Sequence, residues 1–123
     1  METILIVDDS RTVRKQLESM LSAANFQVLQ AENGKIALET LNKYKDIKIV
    51  FCDVNMPEMS GFELLKALRD LGNKIPFILL STESSHEFIL RAKGLGANGY
   101  LVKPAHEENI MMMIKRFATD QKN

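Results

Sequence analysis

The chain has one cysteine, Cys52, and therefore no internal disulfide. A lone thiol fits a reducing compartment, and a cytoplasmic location is expected. The two histidines, His86 and His106, lie far apart in sequence. With a single cysteine they do not make the ligand set of a structural zinc site. Neither sign of charge is in excess, sixteen basic residues standing against sixteen acidic ones. That balance gives no electrostatic footprint of a nucleic-acid or anionic-membrane partner. Long apolar runs are also missing. The longest, Ile110 to Ile114, has five residues, whereas a membrane span needs about 20. Met1 leads directly into a strand-like segment, so no signal peptide is expected. No linker, repeat or low-complexity tract interrupts the chain. What is present is 123 residues, 46% hydrophobic and 26% charged. Those values suit one compact domain that builds its core without disulfide or structural metal, and a single domain over residues 1–123 is expected.

Short apolar runs alternate with longer amphipathic ones. The strand-like runs are Ile4–Val7, Phe26–Leu29, Ile47–Cys52, Phe77–Leu80 and Tyr100–Val102. Helix-like stretches fall near 11–23, 34–43, 61–70, 85–93 and 106–118. Ser10 and Asn33 are placed to cap the first two helices. Ser60 with Glu63, and Ser84 with Glu87, have capping-box spacing. Gly94 and Gly96 mark the end of the fourth helix. Five βα units in series predict an α/β fold, a parallel sheet with helices on both faces. The first, third and fourth strands are almost continuously apolar, as strands covered on both faces must be. The second is mixed and the fifth is short, which suits sheet edges. The predicted order is 2-1-3-4-5, the doubly wound, flavodoxin-like (βα)5 arrangement.

In such a sheet, chemistry gathers beyond the carboxyl ends of the strands. Strand one ends in Asp8-Asp9, strand three in Asp53, strand four in Ser81-Thr82, and strand five in Lys103-Pro104. Three carboxylates, a hydroxyl and an ammonium are thus expected to converge on one shallow pocket. Each alone has an ordinary explanation: a helix-start pair, a turn, a surface charge. Together at successive strand ends they form a pattern. Clustered carboxylates repel one another, and a hard divalent cation offsets that repulsion. Few ligands, all oxygen, favour magnesium with retained waters. A cation, a free carboxylate and a lysine suit phosphoryl transfer, where charge on the moving group must be neutralised. Cys52, inside an apolar strand, reads as a buried small hydrophobe. Of Met111, Met112 and Met113, at least one is expected on the surface, because Ile110, Ile114, Phe117 and Ala118 take the inner face of the last helix.

On these residues the chain resembles the response-regulator receiver family over its whole length. The matching stretches are Ile4–Ser10, Asp53–Gly61, Leu79–Ser84 and Gly96–Pro104. Asp9-Ser-Arg11, Asn55, Glu83 and Ser81–Ser84 bring it nearest to chemotaxis regulators of the CheY type. The resemblance implies that Asp53 takes a phosphoryl group from a phosphohistidine on a sensor histidine kinase. Asp9, Asp53 and the backbone carbonyl of Asn55 would hold magnesium, with Asp8 acting mainly through water. Lys103 would pair with a phosphoryl oxygen. Ser81 would swing its hydroxyl to the phosphoryl group, and Tyr100 would turn inward behind it. Thr82 and Glu83 would flank the pocket. The family usually has a cis bond before the proline at Pro104; the sequence leaves this open.

Three positions depart from the family pattern. Ser81 stands where threonine is commoner, and Thr82 where Ala or Gly is frequent. Ala105 replaces a frequent Phe. A receiver with no output domain of its own would act through a downstream protein, such as the flagellar motor switch. The expected docking face holds Tyr100, Met112 or Met113, and Arg116, with the protein a monomer or a weak phosphorylation-dependent dimer. The chain would be a switch with self-phosphorylation and self-dephosphorylation chemistry only, not an enzyme in the ordinary sense. A phosphorelay intermediate serving a histidine phosphotransfer protein is an alternative within the family. A flavodoxin shares the winding, but Asp8-Asp9 would repel a flavin phosphate. A phosphatase of the haloacid-dehalogenase type needs a second carboxylate where Asn55 stands.

Overall fold

The computed structural model describes residues 2–118. Five strands and five helices alternate: β1 Thr3–Val7, α1 Arg11–Ala23, β2 Gln27–Ala31, α2 Gly34–Lys43, β3 Ile47–Asp53, α3 Gly61–Asp70, β4 Phe77–Ser81, α4 His86–Gly94, β5 Gly99–Val102 and α5 Glu107–Phe117. The strands form one parallel sheet in the order β2-β1-β3-β4-β5. The predicted topology is therefore the one observed, with the mixed β2 and the short β5 at the edges. β2 is the one strand displaced from its predicted span, starting at Gln27 because Phe26 closes the end of α1.

Strand periodicity divides the core in two. Leu5, Val7, Val50, Cys52, Phe77 and Leu79 face α2, α3 and α4. Ile4, Ile6, Ile49, Phe51, Ile78 and Leu80 face α1 and α5. Successive side chains of a strand point to opposite faces, so β1, β3 and β4 need apolar residues at nearly every position. Lys48 is the exposed position among them, while polar Thr3, Asp53 and Ser81 are buried at strand ends. The β1–β3 register steps from Thr3↔Ile47 to Ile4↔Ile49, and Lys48 falls in the skipped position, where it stays exposed.

The helix starts follow local chemistry. Ser10 Oγ accepts from Val13 N–H at 3.2 Å and Asn33 Oδ1 from Ile36 N–H at 2.8 Å. Ser60 and Glu63 form the predicted reciprocal box. The predicted Ser84–Glu87 box is absent. Ser85 caps α4 instead, its Oγ accepting from Phe88 N–H at 3.1 Å. Two adjacent serines compete for that place, and Ser85 puts Phe88 into the core at 4% exposure. Glu87 remains in the first turn, where its charge favours the helix dipole.

Three helices stop in the same way. After α1, α3 and α4 the residue beyond the cap has positive φ: Asn25 at 71°, Gly72 at 80° and Gly96 at 94°. In each, two backbone N–H groups turn back onto the last helical turn, as in Ala97 to Ala92 and Gly96 to Lys93, both 3.0 Å. These are Schellman closures.

Arg69, in the last turn of α3, ties this end of the molecule together. Its guanidinium donates to the carbonyls of Asn73, Ile75 and Gly96 and to Asn98 Oδ1, at 2.8–3.2 Å. Asn98 Oδ1 also accepts from Phe77 N–H at 2.9 Å. One fork thus joins α3, the start of β4 and the α4–β5 loop. We predict that Arg69→Ala lowers stability by about 2–3 kcal/mol in urea unfolding, since several charge-assisted bonds are lost at once. Arg69→Lys is expected to recover less than half, because an ammonium lacks the planar fork.

Candidate functional site

Parallel strands end on one side of the sheet, and the switch point lies where the chain leaves β1 and β3 in opposite directions. There β1 runs into Asp8 and β3 ends on Asp53. Both side chains are buried: Asp8 is 0% and Asp53 5% exposed. Asp9 is exposed on the rim. One carboxylate oxygen from each of the three lies within 4.8 Å of the others. Lys103, just after β5, reaches across. Its Nζ stands 3.1 Å from Asp8 Oδ2 and 3.1 Å from Asp53 Oδ1. The Lys103–Pro104 bond is cis. The predicted acids and the lysine therefore meet in one pocket.

The loops hold these groups in place. Asp8 N–H donates to the Ala31 carbonyl at 3.1 Å, and Ser10 N–H donates to Asp8 Oδ1 at 2.8 Å. Gly61 is required by close approach. A Cβ there would stand 2.6 Å from the Asp53 carbonyl oxygen. Gly61 N–H also donates to the Val54 carbonyl at 2.9 Å, closing the β3–α3 loop over the strand end. Within that loop Glu58 has φ of 72°, a left-handed conformation costly for a residue with a Cβ.

Burial, and then the charge of Asp8, raise the pKa of Asp53; its contacts with Lys103 and a hydrogen bond from the backbone of Asn55 oppose the rise. Burial alone would lower the pKa of Lys103. Close contact with Asp8 and Asp53, and their charges, outweigh it and raise the value. The lysine is therefore a permanent cation here. Burial, then Asp53 and Asp8, push the Cys52 thiol up, so it stays protonated and inert. Its Sγ lies 3.2 Å from the Asp53 carbonyl oxygen.

One buried oxygen is left over. Asp8 Oδ2 makes no well-aligned hydrogen bond among the described residues and meets Lys103 at 3.1 Å as an ion pair. A single ammonium meets two of the three clustered carboxylates. An all-oxygen donor set with an unsatisfied buried atom fits a hard divalent cation, with waters completing its shell. Asp8, Asp9 and Asp53 are the residues that would hold it.

The remaining predicted residues surround this pocket. Ser81 is buried at the end of β4, and its Oγ accepts from Glu83 N–H at 2.9 Å. Asn55, Thr82 and Glu83 are exposed at the rim. Tyr100 is half-buried and sets its ring edgewise to Phe88 at 6.0 Å. Phe88 in turn meets Phe62 at 5.4 Å. On α5, Met112 is 55% exposed. Met113 is half-buried, with Sδ and Cε 3.2 Å from where a Cβ on Gly99 would stand. Of the two methionines, Met112 is the one presented to solvent; Arg116 is exposed as well. Exposed Leu90 on α4 and Val102 on β5 were not singled out by sequence. Helix and strand phase, once known, mark both. Arg14 also escaped notice; its guanidinium holds the Asp8 carbonyl.

No helix among the described residues is long and apolar enough to cross a membrane. Comparison with known proteins agrees with this geometry. The chemotaxis protein CheY1 of Helicobacter pylori is 39% identical over 104 residues, covering 82% of this chain and 84% of that protein. A CheY homologue of Campylobacter jejuni is 38% identical over 104 residues, covering 82% of this chain and 80% of that protein. The crystal structure of chemotaxis protein CheY4 of Vibrio cholerae superposes with a TM-score of 0.89 at 37% identity, covering 95% of this chain and 98% of that one. Residues 4–115 match the response regulator receiver domain model. With its sheet order, its strand-end acids and its lysine all in place, the chain belongs to the response regulator receiver domain family.

Proposed function

We propose that this protein is a phosphorylation switch of a two-component system in which Asp53 is the acceptor. One observation supports this above the others: Asp53 ends a central strand with its carboxylate 3.1 Å from the Lys103 ammonium and beside two further carboxylates. Asp53 attacks the phosphorus of a phosphohistidine on a sensor histidine kinase. An O–P bond forms, the P–N bond breaks, and the imidazole leaves with the electron pair of that bond. Lys103 offsets negative charge on the transferring oxygens. Magnesium, when bound by Asp9, Asp53 and the Asn55 carbonyl, with Asp8 through water, supplies further charge neutralisation. Ser81 trades its contact with Glu83 N–H for one with a phosphoryl oxygen, and Tyr100 moves further inward against Phe88.

The output face consists of α4, β5 and α5, which adjoin Ser81 and Lys103 through the chain. Tyr100, Met112 and Arg116 lie on it, and the exposed Leu90 and Val102 add apolar area. Met112 suits a binding surface because its side chain adapts its shape. A downstream protein that favours the phosphorylated state shifts the population toward it. The relatives named for chemotaxis support a target in chemotaxis signalling, and the flagellar motor switch is the target we propose. Met112→Lys is expected to leave Asp53 phosphorylation intact and to weaken binding to the purified switch protein roughly tenfold, as loss of an interface anchor does. Unchanged binding by calorimetry would move the output face elsewhere.

Acetyl phosphate with magnesium is expected to add one phosphoryl group, seen by intact-mass spectrometry at low temperature. Asp53→Asn removes that adduct. A group mapped to a serine or histidine contradicts the assignment.

The raised pKa of Asp53 has a linked effect on stability. A group whose folded pKa lies above its unfolded value stabilises the fold below the unfolded pKa. That contribution is lost as pH rises through the folded pKa. At neutral pH and without metal, ionised Asp53 therefore costs stability. Asp53→Asn is expected to melt higher than the wild type at pH 7 in EDTA, with the gap closing on acidification toward pH 4. Asp9→Ala behaves similarly at pH 7 and no longer responds to magnesium in thermal melts.

A further inference from the structure

We propose that Arg14 is a positioning residue of the acidic pocket: its guanidinium, braced on Gln30 of edge strand β2, holds the Asp8 carbonyl and so sets how Asp8 and Asp9 present their carboxylates to a divalent cation. The inference rests on reading that pocket as a magnesium site.

Asp8 is the first residue past the β1 ladder, so its carbonyl has no neighbouring strand to bond. Arg14 Nη1 takes that place at 2.6 Å. The other polar atoms of Asp8 are nearly all committed. Its N–H donates to Ala31 at 3.1 Å and its Oδ1 accepts from Ser10 N–H at 2.8 Å. Only Oδ2 lacks a hydrogen bond, and it faces Lys103. With the amide, the carbonyl and one carboxylate oxygen fixed, the direction of Oδ2 is fixed too. The same carbonyl belongs to the planar peptide that carries Asp9 N, so holding it also sets where Asp9 begins.

Arg14 is itself held. It lies on α1 one turn after Ser10, and its N–H donates to the Ser10 carbonyl at 3.0 Å. Its Nε donates to Gln30 Oε1 at 3.1 Å. The guanidinium therefore spans α1, the acidic loop and β2. Arginine suits this place because its rigid planar fork holds two acceptors in a fixed relative geometry, which a flexible ammonium does not impose. It also adds a positive charge next to the loop that carries two of the three carboxylates. Arg14 touches neither cation nor phosphoryl group; it acts through Asp8. Groups that orient metal ligands in this way typically carry 10- to 100-fold in metal affinity.

The test uses the full chain. Magnesium affinity is measured by isothermal calorimetry, thermal stability by calorimetric melting in EDTA, and backbone amide shifts by NMR without metal. Arg14→Ala is expected to weaken magnesium binding at least tenfold while Tm moves little. Amide shifts should change at Asp8, Asp9 and Ser10 and not in the β3–β4 core. Arg14→Lys, which keeps charge and one donor, should restore part of the affinity. Gln30→Ala, which removes only the brace, should weaken binding by a smaller factor. If Arg14→Ala binds magnesium within twofold of the wild type, the inference is overturned while the metal site stands. It is equally overturned if affinity falls only as the whole fold loosens, with core shifts changing alongside. If the wild type itself binds no magnesium, the reading of the site falls, and this inference with it.

Discussion

The Lys103 ammonium makes the centre of this molecule tolerable. Asp8 and Asp53 end neighbouring strands with almost no access to water. Burying even one ionised carboxylate unpaired is costly, and two side by side repel each other as well. Lys103 stands between them at equal distances of 3.1 Å. It does not neutralise the cluster: one ammonium stands against the two carboxylates it touches, and Asp9 adds a third beside them. The domain thus folds around a deliberate electrostatic deficit. Whatever supplies positive charge is welcomed, and whatever consumes a carboxylate changes the balance. A site in this condition responds to its ligands more strongly than one already satisfied.

Much of this was legible in the sequence, for a specific reason. Parallel strands buried on both faces leave a nearly continuous apolar run, and each run here stops at a polar residue. Asp8, Asp53 and Ser81 follow such runs and Lys103 follows the short edge strand β5, so strand topology brings them together. The edge assignment of β2 and β5 followed from the same burial logic. What stayed hidden depends on detail finer than a pattern. Ser84 and Ser85 carry the same chemistry, and only the phase that buries Phe88 selects the second. Met112 and Met113 differ by one residue of helix rotation, enough to put one in water and the other against Gly99. Arg14 and Arg69 bind backbone carbonyls, which carry no residue identity for a sequence to display.

The two helical layers are not equivalent. The layer of α2, α3 and α4 holds the aromatic series Phe62, Phe88 and Tyr100, which runs from the helix beside Asp53 to the edge strand. The layer of α1 and α5 is aliphatic on the sheet apart from Phe51, with Phe117 and Phe26 partly buried against it. A ring that shifts must displace its neighbour, because interiors are close-packed and yield in discrete steps. Tyr100 is half-buried at the end of that series, placed where a small change at β4 and β5 has to be accommodated.

The three Schellman closures all lie at the end of the sheet away from Asp53. There the backbone satisfies itself, with Arg69 stitching the loops, and nothing foreign is needed to complete it. The opposite end has backbone closures too, but its centre is a cluster of buried charges. The domain is thus built like a cantilever: one end is tied by internal bonds between backbone and Arg69, and the unbalanced charge is concentrated at the other.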